Sequence, residues 1–145
     1  IEPYAPSPER RFKAIQILNE NKINTAIRID PIIPFFNDDF EKLEEMIKVI
    51  SKYSKQIISS TLKLKYDSIK RFKENLKDIF DKFIPLYKER VGNSYYIERS
   101  LREKILKNLR DLTLKYGMDF STCRENLSHL NTNICDGSGL FKNSK

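Results

Sequence analysis

The chain switches between two hydrophobic periods along its first half. Ser7-Pro8 has the chemistry of a helix start, a capping hydroxyl followed by proline at the first helical position. Phe12, Ile15 and Leu18 then recur on one helical face, and Asn21 marks a stop. Ile23–Asp30 reads as a short strand closed by Pro31. Asn37 and Asp38 open a second helix, with Asp38 and Glu41 at capping-box spacing and a stripe of Phe40, Leu43, Ile47 and Ile50. Gln56–Leu64, Q-I-I-S-S-T-L-K-L, is a second predicted strand. Helix, strand, helix, strand with short connections is the pattern of a parallel sheet covered by helices. Two strands make a poor sheet, so further strands are expected upstream or on a partner chain.

From Asp67 the pattern becomes helical throughout. Ile69, Phe72, Leu76, Ile79, Phe83 and Tyr87 follow a 3-4-3-4 spacing, predicting a long helix that Pro85 kinks or ends. Gly92-Asn93-Ser94 is a turn. Ile97, Leu101, Ile105, Leu109, Leu112 and Tyr116 form a second stripe stopped by Gly117. The two predicted helices would pack as an αα-hairpin. The aromatics on these stripes have the spacing of a buried face rather than of base-stacking platforms. The organisation expected is thus 1–64 as βα units, 65–117 as a basic helical extension, and 118–145 as a cysteine-containing tail.

Composition narrows the class. With 145 residues, 39% apolar and 32% charged, the chain has the size of one domain that can bury a core. No apolar run approaches the ~20 residues of a membrane span, and no signal peptide is evident. Two cysteines are too few for a secreted disulfide scaffold, so a reducing cytoplasm is expected. A start at Ile1 rather than Met, followed by Glu2-Pro3, points to a cut N-terminus. The net charge is +7, and residues 63–110 hold fourteen basic against seven acidic side chains, a surplus equal to that of the whole chain. Two readings stay open: a solvated face on long helices, or a face that binds a polyanion such as nucleic acid.

The predicted strands carry polar groups where a covered parallel sheet reads as continuous Val, Ile and Leu. Ala26, Arg28 and Asp30 share one face, opposite Thr25, Ile27 and Ile29. On the second strand Ser59, Thr61 and Lys63 alternate with Ile58, Ser60 and Leu62. Such groups imply a polar cavity on one side, such as an open barrel interior. Arg28 either pairs with Asp30 or sits at a sheet edge, or it faces a carboxylate or phosphate ligand. Asp30-Pro-Ile-Ile-Pro34 stiffens the loop at the strand's carboxyl end, where α/β sheets place ligands.

Ordered blocks carry a family resemblance. They are E-P-x-A-P-S-P-E-x-R (Glu2 to Arg11, with one extra basic residue) and R-I-D-P-I-I-P (Arg28 to Pro34) followed by Asn37-Asp38. Next come I-S-S-T-L-K-L (Ile58 to Leu64), T-C-R-E-N-L (Thr122 to Leu127) and C-D-G-S-G-L (Cys135 to Leu140). Together these resemble the radical S-adenosylmethionine (radical SAM) proteins related to spore photoproduct lyase, the DNA repair photolyase-like family. The resemblance implies a partial (β/α)6 TIM-like barrel with a [4Fe–4S] cluster on a C-x3-C-x2-C loop. There the cluster reduces SAM to a 5′-deoxyadenosyl radical that abstracts hydrogen from substrate. This chain has no C-x3-C-x2-C; its cysteines stand twelve positions apart. By the resemblance it would be the last two parallel strands of the barrel with their helices, plus a helical-hairpin extension. It would carry part of the SAM pocket but no cluster ligand, and would be inactive without the missing N-terminal half. The resemblance places Arg28, Ile29, Asp30 and Ile32 near the SAM adenine and methionine moieties. It places Ser59, Ser60 and Thr61 on the next cavity-lining strand. Lesion repair, RNA modification and peptide chemistry all remain open as reactions. A nucleic-acid-binding module and a purely structural barrel remnant are the alternatives.

The tail holds both cysteines and the only histidine. Cys123, Cys135 and His129 are too few for a closed zinc site, and their spacing matches no common zinc pattern. The cysteines are buried structural thiols, thiols near the substrate in the intact barrel, or a metal or disulfide pair. Arg124 beside Cys123 would lower that thiol's pKa. A reactive Cys123 near a substrate radical would suit hydrogen-atom donation, which makes it the candidate catalytic residue. Asp136-Gly-Ser-Gly139 is a turn without phosphate-loop spacing, and His129 a helix-end or surface residue.

Overall fold

The computed structural model describes residues 4–141, so Glu2 and Pro3 of the first block lie outside the described residues. Ser7 caps helix α1, Pro8–Glu20, by accepting the Arg10 N–H, and Asn21 ends it. Strand β1 is Ala26–Ile32; it begins later than the pattern predicts and runs on through Pro31, across a cis Asp30–Pro31 bond. Helix α2 is Phe40–Ile50, buried through Leu43, Ile47 and Ile50 as its stripe requires. Its cap is Asp39, which accepts the N–H groups of Glu41 and Lys42. Asp38 instead accepts the N–H of Phe35, so the predicted cap is one residue out. Strand β2, Gln56–Thr61, is buried along its whole length.

The predicted long helix is two short ones. Helix α3, Tyr66–Asn75, and helix α4, Lys77–Phe83, meet at Leu76, whose φ of −128° and ψ of 40° are outside the helical region. A 3-10 turn at Ile84–Leu86 carries Pro85. The predicted αα-hairpin does not form. Strand β3, Leu64–Lys65, splits from the predicted second strand and joins a small antiparallel sheet of order β3-β5-β4, with β4 at Glu89–Val91 and β5 at Ser94–Tyr96. Gly92, at φ +57°, makes the turn between β4 and β5. This sheet and α3–α4 enclose their own core, in which Phe83 is fully buried against the edges or faces of Phe72, Phe80 and Tyr87 at ring-centre distances of 6.3, 5.3 and 5.9 Å.

Helix α5, Arg99–Lys115, returns to the first half of the molecule and buries Ile105, Leu106 and Leu109 there. Strand β6, Asp119–Thr122, was not anticipated; it pairs parallel with β2. The main sheet is therefore three parallel strands in the order β1-β2-β6, not two. It is open: among the described residues β1 and β6 are both edges, and no barrel closes. Register puts Ile27, Ile29, Ile57 and Phe120 on one face, in a common core with Phe12 of α1, α2 and α5. Ala26, Arg28, Asp30, Gln56, Ile58, Ser60, Ser121 and Cys123 fall on the other face. Of the described helices, α1, α2 and α5 thus cover the first side. Over the second side, at the strands' amino ends, the tail crosses. Gln56 Nε2 donates to Ile134 O at 2.8 Å, and the Ser121 hydroxyl donates to Asn133 O at 2.5 Å. Gly137, at φ +80°, comes up against Ala26.

Candidate functional site

At the carboxyl end of the polar face the structure gathers part of the predicted set, with Ser60 buried and Arg28 half exposed. Arg28 Nη2 lies 2.7 Å from Asp30 Oδ2, with the side chains 50% and 19% exposed. The Ser60 hydroxyl makes a short hydrogen bond to Asp30 Oδ1. Cys123 falls on the same face of the sheet as Arg28. The Asp30 carboxylate first, and the sulfur second, raise the guanidinium pKa above its ordinary value. The strand alternation thus brings together Arg28, Asp30, Ser60 and Cys123, on strands separated by up to about ninety residues of chain.

Ser59 and Thr61 are not in this corner. Ser59 is fully buried on the helix-covered side and its hydroxyl donates to Ile29 O at 2.6 Å. Thr61 serves a second cluster. Its N–H and hydroxyl both donate to Glu125 Oε1, at 2.9 and 3.2 Å. Ile29 is half-buried in the main core and Ile32 is fully buried in it. A register shift between Ile29 and Ile32 separates the strand's polar end from the loop that follows. That loop is tied by Asn37, whose Oδ1 accepts the Ile33 N–H at 2.6 Å and whose Nδ2 donates to Pro31 O at 3.1 Å. It holds Phe35 at φ +65° with both Phe35 and Phe36 exposed.

The second cluster was invisible to motif reasoning. The Glu125 side chain has no exposed surface, yet Lys63 Nζ lies 3.1 Å and Arg102 Nη1 3.4 Å from its oxygens. Arg102 also binds Glu89 at 2.7 Å and stacks over the Tyr96 ring at 5.0 Å. Lys63 Nζ donates to Cys123 O at 3.0 Å, and the Cys123 N–H to Ser59 O at 3.1 Å. Burial, and then the Glu125 charge, push the nearby Tyr87 phenol well above its ordinary pKa; its hydroxyl donates to Leu62 O. Four donors on one buried carboxylate fix the loop after β6 to the end of β2. Only the three-dimensional fold reveals it, because Glu125 lies 64, 62 and 23 positions from Thr61, Lys63 and Arg102.

The remaining tail candidates have separate places. Cys123 and Cys135 are both free and partly buried. Cys135 belongs to the segment that covers the sheet's amino end. His129 pairs with Glu103 at 2.7 Å on the surface. The Asp136–Gly139 turn packs rather than binds: Ser138 N–H donates to Asp136, and a Cβ on Gly139 would meet Asn133 Oδ1 at 1.7 Å. Among the described residues no group of three or more His, Cys, Asp or Glu could hold a metal ion, and no helix is long and apolar enough to cross a membrane.

A groove of about 490 Å³ runs beneath α1, along the free edge of β1. Phe12, Ile15, Ile27, Ile29, Met46 and Ile50 line it, with Arg28 at its rim. α1 itself buries no residue fully, and Ile17 and Leu18 are exposed on it.

Comparison with protein-family models, with curated proteins and with solved structures returned no match.

Proposed function

We propose that this chain is the C-terminal part of a partial (β/α)6 barrel of the radical SAM, photolyase-like type. Its share of the active site is the Arg28–Asp30–Ser60–Cys123 corner. The observation that carries the reading is the one-sided placement of helices. In a doubly wound fold helices cover both faces of a parallel sheet, whereas in a (β/α) barrel they lie outside and the strands' other face lines the interior. Here α1, α2 and α5 share one face with a single core, and the opposite face carries arginine, aspartate, serine and cysteine at its carboxyl end. The free edge of β1 supports the same reading. α1 leads into β1 as a crossover helix does, and the groove beneath it has the position and apolar lining that a preceding strand, from the missing barrel half, would fill.

The cluster does not fit on these residues, since the chain has only two thiols, Cys123 and Cys135, and among the described residues no group of three potential ligands gathers. SAM fits the corner in part. The Arg28 fork suits a carboxylate, and Asp30, oriented by Ser60, suits an ammonium or a ribose hydroxyl. Bound beside a reduced cluster, SAM supplies hydrogen-abstracting radical chemistry. The chain's own part is to bind and orient it, with Cys123 held beside Arg28 as a hydrogen donor to substrate. The test joins this chain to a polypeptide carrying a C-x3-C-x2-C loop and measures release of 5′-deoxyadenosine. Activity that falls with Arg28→Ala supports the reading, and turnover unchanged by Cys123→Ala removes the donor role. The absence of any such loop in the parent polypeptide or a partner overturns the class.

A second reading, nucleic-acid binding, draws on exposed cations of α3 and α4. Lys70, Arg71, Lys73 and Lys77 make no ion pair among the described residues. Duplex DNA binding that weakens steeply with salt, and more weakly so in a Lys70→Gln, Lys73→Gln double variant, is its signature.

A further inference from the structure

We propose that the loop after β6, Cys123–Leu127, is an oxyanion-binding site in which Arg124 and Asn126 receive a phosphate or carboxylate group of a ligand. The loop lies at the carboxyl end of a parallel strand, the side on which α/β sheets bind ligands. Its residues alternate sharply in burial. Glu125 and Leu127 are 1% and 0% exposed, whereas Arg124 and Asn126 face solvent.

Both exposed residues are in the left-handed region, Arg124 at φ +58° and Asn126 at φ +55°. Asparagine tolerates that region; arginine is disfavoured there by its Cβ, and glycine would occupy it without strain. The conformation is imposed from below. The Cys123 amide is fixed on Ser59 O, the Cys123 carbonyl on Lys63, and Glu125 on the donors of Thr61, Lys63 and Arg102. The fold therefore holds two polar side chains outward on a rigid support, in a conformation that one of them disfavours.

Charge points to the ligand. Lys63 donates to the Cys123 carbonyl, Arg28 stands on the same face of the sheet, and their charges are answered by Glu125 and Asp30. Among the described residues no hydrogen bond or ion pair engages the side chain of Arg124 or Asn126. Arg124 is thus the cation left uncompensated in this corner. Its planar fork donates to two oxygens of an oxyanion at once, and the Asn126 amide adds a donor. The inference uses only the folded chain and stands apart from the radical SAM reading, so it is tested without cofactor.

The experiment is a ¹H–¹⁵N NMR titration of the chain with sodium phosphate, and separately with sodium acetate, at ionic strength held constant with sodium chloride. Saturable shifts confined to the amides of 123–127 are expected with one or both anions, and the anion that saturates identifies the oxyanion class. Arg124→Gly should weaken binding roughly tenfold or more while leaving Tm unchanged or raised, because glycine relieves the positive φ. Lys107→Met, a surface control on α5, should bind as the unaltered chain does. The proposal is overturned if neither anion gives saturable shifts, or if Arg124→Gly binds equally well. A fall in Tm of Arg124→Gly assigns the arginine a structural role and overturns it too.

Discussion

Two ion-pair clusters stand at the same end of the same sheet and are built on opposite principles. Around Glu125 the carboxylate is sealed, its side chain with no exposure and every oxygen claimed by Thr61, Lys63 or Arg102. Around Asp30 the pair is open: Arg28 is half exposed and held by the Asp30 carboxylate, which in turn accepts the Ser60 hydroxyl. A charge removed from water needs partners on all sides, so a ligand that displaced one of Glu125's donors would leave a buried charge unpaired. A half-exposed guanidinium retains free donors and loses little when its partner changes. The sealed cluster therefore belongs to the architecture, and the open one is the cluster free to exchange partners, although both are written in the same residue types. The sealed cluster also sets the frame for the open one, since Lys63 holds the backbone of Cys123, which falls on the same face of the sheet as Arg28.

The largest expected effect breaks the sealed side. Glu125→Gln leaves Lys63 and Arg102 facing an uncharged amide, and truncating one partner of a buried pair costs about 3–5 kcal/mol. Chemical denaturation should show this as a lower midpoint with an unchanged slope. A loss below about 1 kcal/mol would mean that the carboxylate is solvated rather than sealed. Thr61→Val tests the same cluster more gently. It removes the hydroxyl donor to Glu125 while keeping the shape and the backbone N–H, so about 1 kcal/mol is expected in the same measurement.

How far these clusters can be read from the sequence differs for a physical reason. The Arg28–Asp30 pair follows from the two-residue period of one strand, a local rule that needs no knowledge of the fold. Glu125 meets residues that are 64, 62 and 23 positions away, and no periodicity spans such distances. The same contrast holds for the elements. The stripe Leu43, Ile47, Ile50 predicts α2 correctly because its burial repeats at helical spacing. Strand β6 has four residues, D-F-S-T, with one apolar side chain among them, too short to show a strand period. Without it the sheet looked two-stranded. The break at Leu76 has neither glycine nor proline to announce it; the 3-4 spacing continues across it because α3 and α4 face the same small core. The split of Gln56–Leu64 is similar: Leu62 still pairs with Ile32 O, but Leu64 is fully buried in the second core. Arg28 with Ser60 rather than Ser59 is a matter of inter-strand register, which alternation along one strand leaves open.

On the open side stability and binding should separate. Arg28→Ala removes an ion pair with half its arginine in solvent, and such pairs are worth at most about 1 kcal/mol. The denaturation midpoint should barely move. On the proposed radical SAM reading, affinity for SAM, measured calorimetrically on the chain joined to a polypeptide that carries a C-x3-C-x2-C loop, should instead fall by roughly tenfold or more, as loss of a charge-assisted contact requires. A large stability loss with unchanged affinity would reverse the assignment of the two clusters.

The smallest effect lies at the fully exposed limit of the same series. Asp39 caps α2 and pairs with Lys42 at 3.1 Å; the Lys42 hydrogen bond first, and the helix amides with it, hold its carboxyl below the ordinary range. A carboxyl whose folded pKa is depressed contributes stability that is fully present above its unfolded pKa, roughly pH 4, and is lost as the pH falls through the folded value. Lys42→Met should therefore shrink the fall in Tm between about pH 4 and pH 2 by a small amount, and that difference should vanish in high salt because both groups face solvent. A Lys42→Met difference that survives high salt would show that even this pair is shielded from water. Exposure would then be a poor guide to which of the molecule's ion pairs are free to exchange partners.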